Sequence, residues 1–107
     1  MGQLDRNEPR EAQVREMIRR KLLEAAPLLK EYRVFLYGSR ATGQARPRSD
    51  FDLGVYGDRP LPIKIFFEIE AMLDELPTLY KIDWVDFNRA SQEFRERAMR
   101  DVEIMYE

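Results

Sequence analysis

The sequence predicts a small α+β domain of two layers, a sheet of short strands with helices laid against it. Three observations carry this reading. Short apolar runs at 34–37, 51–56 and 81–87 alternate with longer stretches in which apolar residues recur every three or four positions. Pro and Gly punctuate the joins between them. The chain has 107 residues, 44% hydrophobic and 36% charged, which suits one modest core under a very polar surface.

Residues 1–107 therefore read as a single domain. Composition narrows the function as well. A net charge of −2 offers no basic excess, so direct nucleic-acid binding is not expected. There is no cysteine, which removes disulfides, zinc–thiolate sites and thiol chemistry. There is no histidine either, so any metal must be held by oxygen and any general base must be a carboxylate or water. The first ten residues lack the apolar core of a signal peptide, and no apolar run approaches a membrane span. A cytoplasmic protein is the default expectation.

Taken in order, residues 1–8 are polar and expected to be frayed. From Pro9, the residues Val14, Met17, Ile18, Leu22, Ala25 and Leu29 form one apolar stripe at helical spacing. Pro9 suits a first helical turn, and Pro27 should end or kink the helix near Ala26. Residues 34–37 read as a buried strand that Gly38 ends. Ser39 is placed to cap a short helix over 40–43, whose free N–H groups would face an anion. Residues 43–49 read as loop, with Arg40, Arg46 and Arg48 available either to solvent or to phosphate oxygens.

Residues 51–56 form the second strand, with Phe51, Leu53 and Val55 on one side. Pro62 opens a helix to about Leu76, which Pro77 stops. Its stripe is Ile65, Ile69, Met72 and Leu76, widened by Ile63, Phe66, Phe67 and Leu73. A strand–helix–strand crossover makes the flanking strands parallel, so the third strand, near 81–87, starts at the same edge as the second. Asn88 or Ser91 caps a last helix whose apolar face is Phe94, Ala98 and Val102. Ile104, Met105 and Tyr106 make a short apolar tail, expected to dock on the core or on a partner.

The chemistry sits at the start of the second strand. Asp50 and Asp52 are two residues apart, so in a strand they share a face about 7 Å apart. Two carboxylates so placed repel, and one keeps its proton unless a cation intervenes. Mg²⁺ is the natural cation for an all-oxygen site that also takes substrate phosphates. Asp83 and Asp86 compete as a third acid. Alternation puts Asp83 with Val85 and Phe87, and Asp86 with Ile82 and Trp84. Both faces carry apolar groups, so periodicity does not decide. Position near the strand start favours Asp83.

Gly38 and Ser39, a gap of ten residues, Asp50 and Asp52, and the later strand acid together resemble the signature of the nucleotidyltransferase superfamily with a DNA polymerase β-type core. Within it the run 38–53 is most similar to the minimal nucleotidyltransferases, the MNT proteins. The resemblance covers about half the chain, 34–87. It implies the nucleotidyltransferase fold, a small mixed β-sheet with helices packed on one face, and it favours Asp83 as the third acid. It implies that Asp50, Asp52 and Asp83 are catalytic and hold Mg²⁺, with Gly38, Ser39, Arg40 and Arg48 binding the nucleotide.

The resemblance further implies transfer of a nucleoside monophosphate, most simply AMP from ATP. Asp83 would take the proton of the acceptor hydroxyl. Only a short tail follows Asp83, so a second chain is expected to present the acceptor in a hetero-oligomer. In the MNT family that chain is typically a HEPN-domain toxin, silenced by AMP on a tyrosine, with the MNT protein as antitoxin. Two rival readings stand beside this one. The first is a non-catalytic nucleotide-binding module that blocks the HEPN partner by contact. The second is nucleotidylation of a small molecule, which the absence of a second domain disfavours.

Overall fold

The computed structural model describes residues 7–43 and 49–107. The expected fraying of residues 1–8 falls largely outside them, as do Arg46 and Arg48. Helix α1 spans Asn7–Glu24 and continues into a 3-10 turn at Ala26–Leu28. Strand β1 is Arg33–Tyr37, helix α2 is Ser39–Thr42 and strand β2 is Phe51–Tyr56. Helix α3 is Ile63–Asp74, strand β3 is Ile82–Asp86, helix α4 is Gln92–Ala98 and strand β4 is Glu103–Tyr106.

The four strands form one mixed sheet in the order β3-β2-β1-β4. Strands β2 and β3 are parallel, as the crossover through α3 requires. β1 runs antiparallel to both β2 and β4. The tail read as a docking segment is thus a fourth strand. Four residues are too few to show a period, but Arg15 Nε and Arg19 Nη2 fix it from α1 through Glu103, at 3.3 and 3.1 Å.

One face of the sheet is the core. Val34, Leu36, Phe51, Leu53, Val55 and Trp84 pack with Val14, Ile18, Leu22, Ala25 and Leu29 of the first helical segment and with Ile69 and Leu73 of α3. The α1 stripe is as the sequence places it. α3 buries a narrower stripe than expected: Ile63 and Phe67 are about half exposed. They lie four apart on one line of the helix, beside the Ile65, Ile69 and Leu73 line that reaches the sheet.

The other face carries Phe35, Tyr37, Phe87 and, from α4, Phe94, joined by ring contacts of 4.9 to 6.0 Å. α4 starts at Ser91, whose Oγ accepts from Phe94 N at 3.1 Å. Asn88 instead clasps the far ends of β2 and β3, accepting from Gly57 N and donating to Gly57 O. Gly54 makes room for this aromatic face. A Cβ there would stand 2.6 Å from Phe87 and 2.8 Å from Phe35. Gly54→Ala is therefore expected to cost about 1–3 kcal/mol of stability, read from the midpoint of urea unfolding. An unchanged midpoint would mean that the rings move aside freely.

Candidate active site

The parallel register pairs Asp52 with Asp83, and the antiparallel register pairs Asp52 with Tyr37. Residues opposite each other share a face, so Tyr37, Asp52 and Asp83 form one row across three neighbouring strands. This face lies opposite the helix-covered core. The row sits where β1 ends and β2 begins, beside the turn into α2.

Asp52 responds strongly to the crowding. Its pKa is raised to about 6, first by burial and then by the charges of Asp83 and Asp50, with a side-chain hydrogen bond to Asp83 adding to the rise. Lys81 opposes this shift. Tyr37 is pushed up to about 12 by burial and by the same two carboxylates, Asp52 and Asp83. Its hydroxyl thus stays protonated beside the acids. Lys81 Nζ lies 3.5 Å from Asp83 Oδ1.

Gly38 closes the row from the side of β1. Its backbone, at φ 72° and ψ −149°, is one that glycine alone adopts readily. A Cβ here would stand 2.9 Å from Asp52 Oδ2. The residue is glycine because a carboxylate occupies the space. Gly38 also takes the cap position of α2, so Ser39 is the first helical residue and not the cap, and no side chain caps this helix. Gly38 O accepts from Ala41 N and Thr42 N. The amides of Ser39 and Arg40 have no acceptor among the described residues, and a turn of this kind directs such groups at an anion.

Arg40 lies in the interior and not on an open phosphate-facing surface. Its side chain is 1% exposed. Nη2 donates to Ser49 O at 2.6 Å, and the guanidinium lies over the rings of Phe51 and Tyr80. Nη1 stands 2.8 Å from Glu11 Oε1, an ion pair outside good hydrogen-bond angles, and Nε has no acceptor among the described residues. Arg40 is a buried strut between α1 and the residues that lead into Asp50. Arg48, the other arginine assigned to the nucleotide, lies outside the described residues.

Asp86 points to the other face and is 6% exposed. It accepts from Leu61 N and Asn88 N and pairs with Arg89. The structure thus brings Asp83, and not Asp86, to Asp52. Among the described residues no set of three His, Cys, Asp or Glu side chains stands ready around one metal position. The donor set nevertheless fits a hard divalent ion: all oxygen, mutually repelling, and short enough of positive charge to hold a proton on Asp52. Sequence reading passed over Tyr37 and Lys81. Tyr37 was hidden in an apolar run, and its signal is that it immediately precedes Gly38.

Residues 24–107 match the family described as polymerase beta, nucleotidyltransferase. A Haemophilus influenzae protein named "Probable protein adenylyltransferase MntA" is 30% identical over 69 residues, 64% of this chain and 60% of that protein. The chain thus spans about three fifths of that curated relative's length. A crystal structure of a toxin–antitoxin with AMP-PNP superposes with a TM-score of 0.62 at 19% identity, over 82% of this chain and 72% of that one. A structure of tri-AMPylated Shewanella oneidensis HEPN toxin in complex with MNT antitoxin gives 0.59 at 16% identity, over 86% and 71%. At these identities the likeness is one of fold. Among the described residues no helix is long and apolar enough to cross a membrane.

The two faces of β3 predict opposite outcomes. Asp86→Asn should lose about 1–3 kcal/mol of stability, because it removes a charged acceptor from the buried Leu61 N–H and the part-buried Asn88 N–H. Asp83→Asn should not destabilise. If the melting temperatures fall in the reverse order, the assignment of faces is wrong. Asp52 adds a pH signature. Between its unfolded value near 3.8 and its folded value of about 6, the folded chain holds a proton that the unfolded chain has released, so stability falls as pH rises. Asp52→Asn should raise the melting temperature at about pH 7.5 and have little effect near pH 4. Equal shifts at both pH values would contradict the crowding.

Proposed function

The chain belongs to the polymerase β nucleotidyltransferase family, and on that premise we propose that it transfers AMP from ATP to a hydroxyl of a partner protein, with Mg²⁺, as the antitoxin of a HEPN-domain toxin. The observation that carries the reading is the in-register pair Asp52 and Asp83, with Asp50 acting on the same charge and the Gly38 turn pressed against Asp52. The named relatives support the nucleotide and the partner: one is called an adenylyltransferase, and one solved neighbour is an AMPylated HEPN toxin with its MNT antitoxin. On this reading the protein acts in the cytoplasm, where ATP is at hand.

Asp50, Asp52 and Asp83 would hold the divalent ion. When bound, it neutralises the carboxylates and the phosphate charge and makes an acceptor hydroxyl more acidic. The chain's own groups do the rest. The turn at Gly38 and Ser39 presents amides to the phosphates. Asp83 takes the proton of the acceptor hydroxyl. The hydroxyl oxygen bonds to the α-phosphorus, and the bond to the bridging oxygen breaks, so pyrophosphate leaves with that electron pair. Positioning and charge account for most of the catalysis. Tyr37 keeps its proton beside the acids.

The test is mass spectrometry of a HEPN partner co-purified with this chain, after ATP and Mg²⁺. The expected product is one nucleoside monophosphate per modified side chain, with Asp52→Asn and Asp83→Asn slowing transfer about 10²-fold or more. A partner that is neutralised yet never modified would replace this reading with a module acting by contact.

A further inference from the structure

We infer that Lys81 is the exchangeable cation of this site: it pairs with the carboxylate row when no divalent ion is bound, and turns to the triphosphate when one is. The inference rests on the nucleotidyltransferase reading above and adds a positioning residue to it.

Among the described residues, Lys81 is the one basic side chain in ion-pair contact with the acid row, its Nζ 3.5 Å from Asp83 Oδ1. The other basic group nearby, Arg40, is buried and committed to Glu11 and Ser49. The root of Lys81 is fixed, because Lys81 O accepts from Phe51 N at 2.9 Å, and Phe51 lies between Asp50 and Asp52. Its head is not fixed. The side chain is 70% exposed, its single ion-pair contact is long, and it borders both the hollow lined by Tyr37 and Asp83 and the hollow lined by Asp50 and Tyr80. A lysine is a compact charge on a flexible stem, suited to such a change of partner.

Electrostatics requires the change. A divalent ion on Asp83 and an ammonium group on the same oxygen repel each other at close range. The ammonium must leave as the ion arrives, and the nearest new negative charge is the phosphate chain that the ion brings. Lys81 thus weakens the site for a bare metal ion and strengthens it for a metal–nucleotide pair. An apo site that carries its own cation also suffers less from the Asp52–Asp83 repulsion.

The experiment uses Mn²⁺ alone, followed by electron paramagnetic resonance, and AMP-PNP with Mg²⁺, followed by calorimetry. Lys81→Met should tighten Mn²⁺ about three- to fivefold, the order expected for one partly screened charge, and should weaken AMP-PNP about fivefold or more. Lys81→Arg should stay close to the unaltered protein in both. Lys81→Met leaving Mn²⁺ affinity unchanged or weaker, or leaving AMP-PNP affinity intact, overturns the inference. Asp52→Asn separates the two levels. If it binds Mn²⁺ as well as the unaltered chain, the metal site itself is refuted. If it loses Mn²⁺ while Lys81→Met changes nothing, only the role of Lys81 is refuted.

Discussion

Two carboxylates placed side by side by a parallel strand register cannot swing fully apart, and the site is organised around that constraint. Backbone pairing fixes Asp52 and Asp83 opposite each other. Burial and charge then lift Asp52 to about 6, so the pair holds a proton in mild acid and carries its full, mutually repelling charge only above that. A fold gains nothing in stability from such an arrangement. Its presence at the mouth of a sheet, next to a glycine turn whose first amides have no acceptor among the described residues, is what the proposed site for a cation and an anion rests on.

Several neighbouring residues follow from that pair. Gly38 has no side chain because Asp52 Oδ2 fills the space where a Cβ would go. The same residue adopts a backbone that turns β1 into α2, so one glycine serves both the turn and the carboxylate. Arg40, two residues on, is drawn inward, where Glu11, the Ser49 carbonyl and two aromatic rings hold it. A buried cation costs much unless it is paired, and here the pairing joins α1 to the residues just before Asp50. The first helix is therefore mechanically linked to the acids although it contributes none of them.

Much of this was legible in the sequence. The crossover through α3 required β2 and β3 to be parallel, and alternation already divided the β3 acids into Asp83 with Val85 and Asp86 with Trp84. Which face met β2's acids was a matter of register, and register needs the partner strand. The burial of Arg40 was not legible, because an arginine beside a phosphate-type turn looks the same whether it faces solvent or the interior. Its partner Glu11 lies 29 positions away in sequence, in another helix. β4 was read only as a docking tail because four residues cannot display a period, and the ion pairs of Arg15 and Arg19 with Glu103 that hold it are long-range. Exposure of Ile63 and Phe67 likewise depends on how α3 is rotated over the sheet, which composition alone leaves open.

Asp86 shows how a residue outside the site can govern it. Side chains on a strand alternate, so a slip of one residue in β3 would carry Asp83 into the core and Asp86 to the acid face, one pleat away from Asp52. The observed register is held at both ends. Phe51 N donates to Lys81 O at the start, and Phe87 N donates to Val55 O at the finish. Trp84 Nε1 donates to Phe66 O and fixes the middle to α3. Asp86 adds a constraint that hydrophobic residues cannot supply. Its carboxylate accepts from Leu61 N ahead of α3 and from Asn88 N after β3, so the crossover loop and the strand end are tied through one side chain. In the slipped register those two amides would lose their acceptor and a charged Asp83 would lie unpaired in the core while Trp84 turned out of it. Both penalties favour the register that places Asp83 beside Asp52, so the buried acid on one face selects the position of the acid paired with Asp52 on the other.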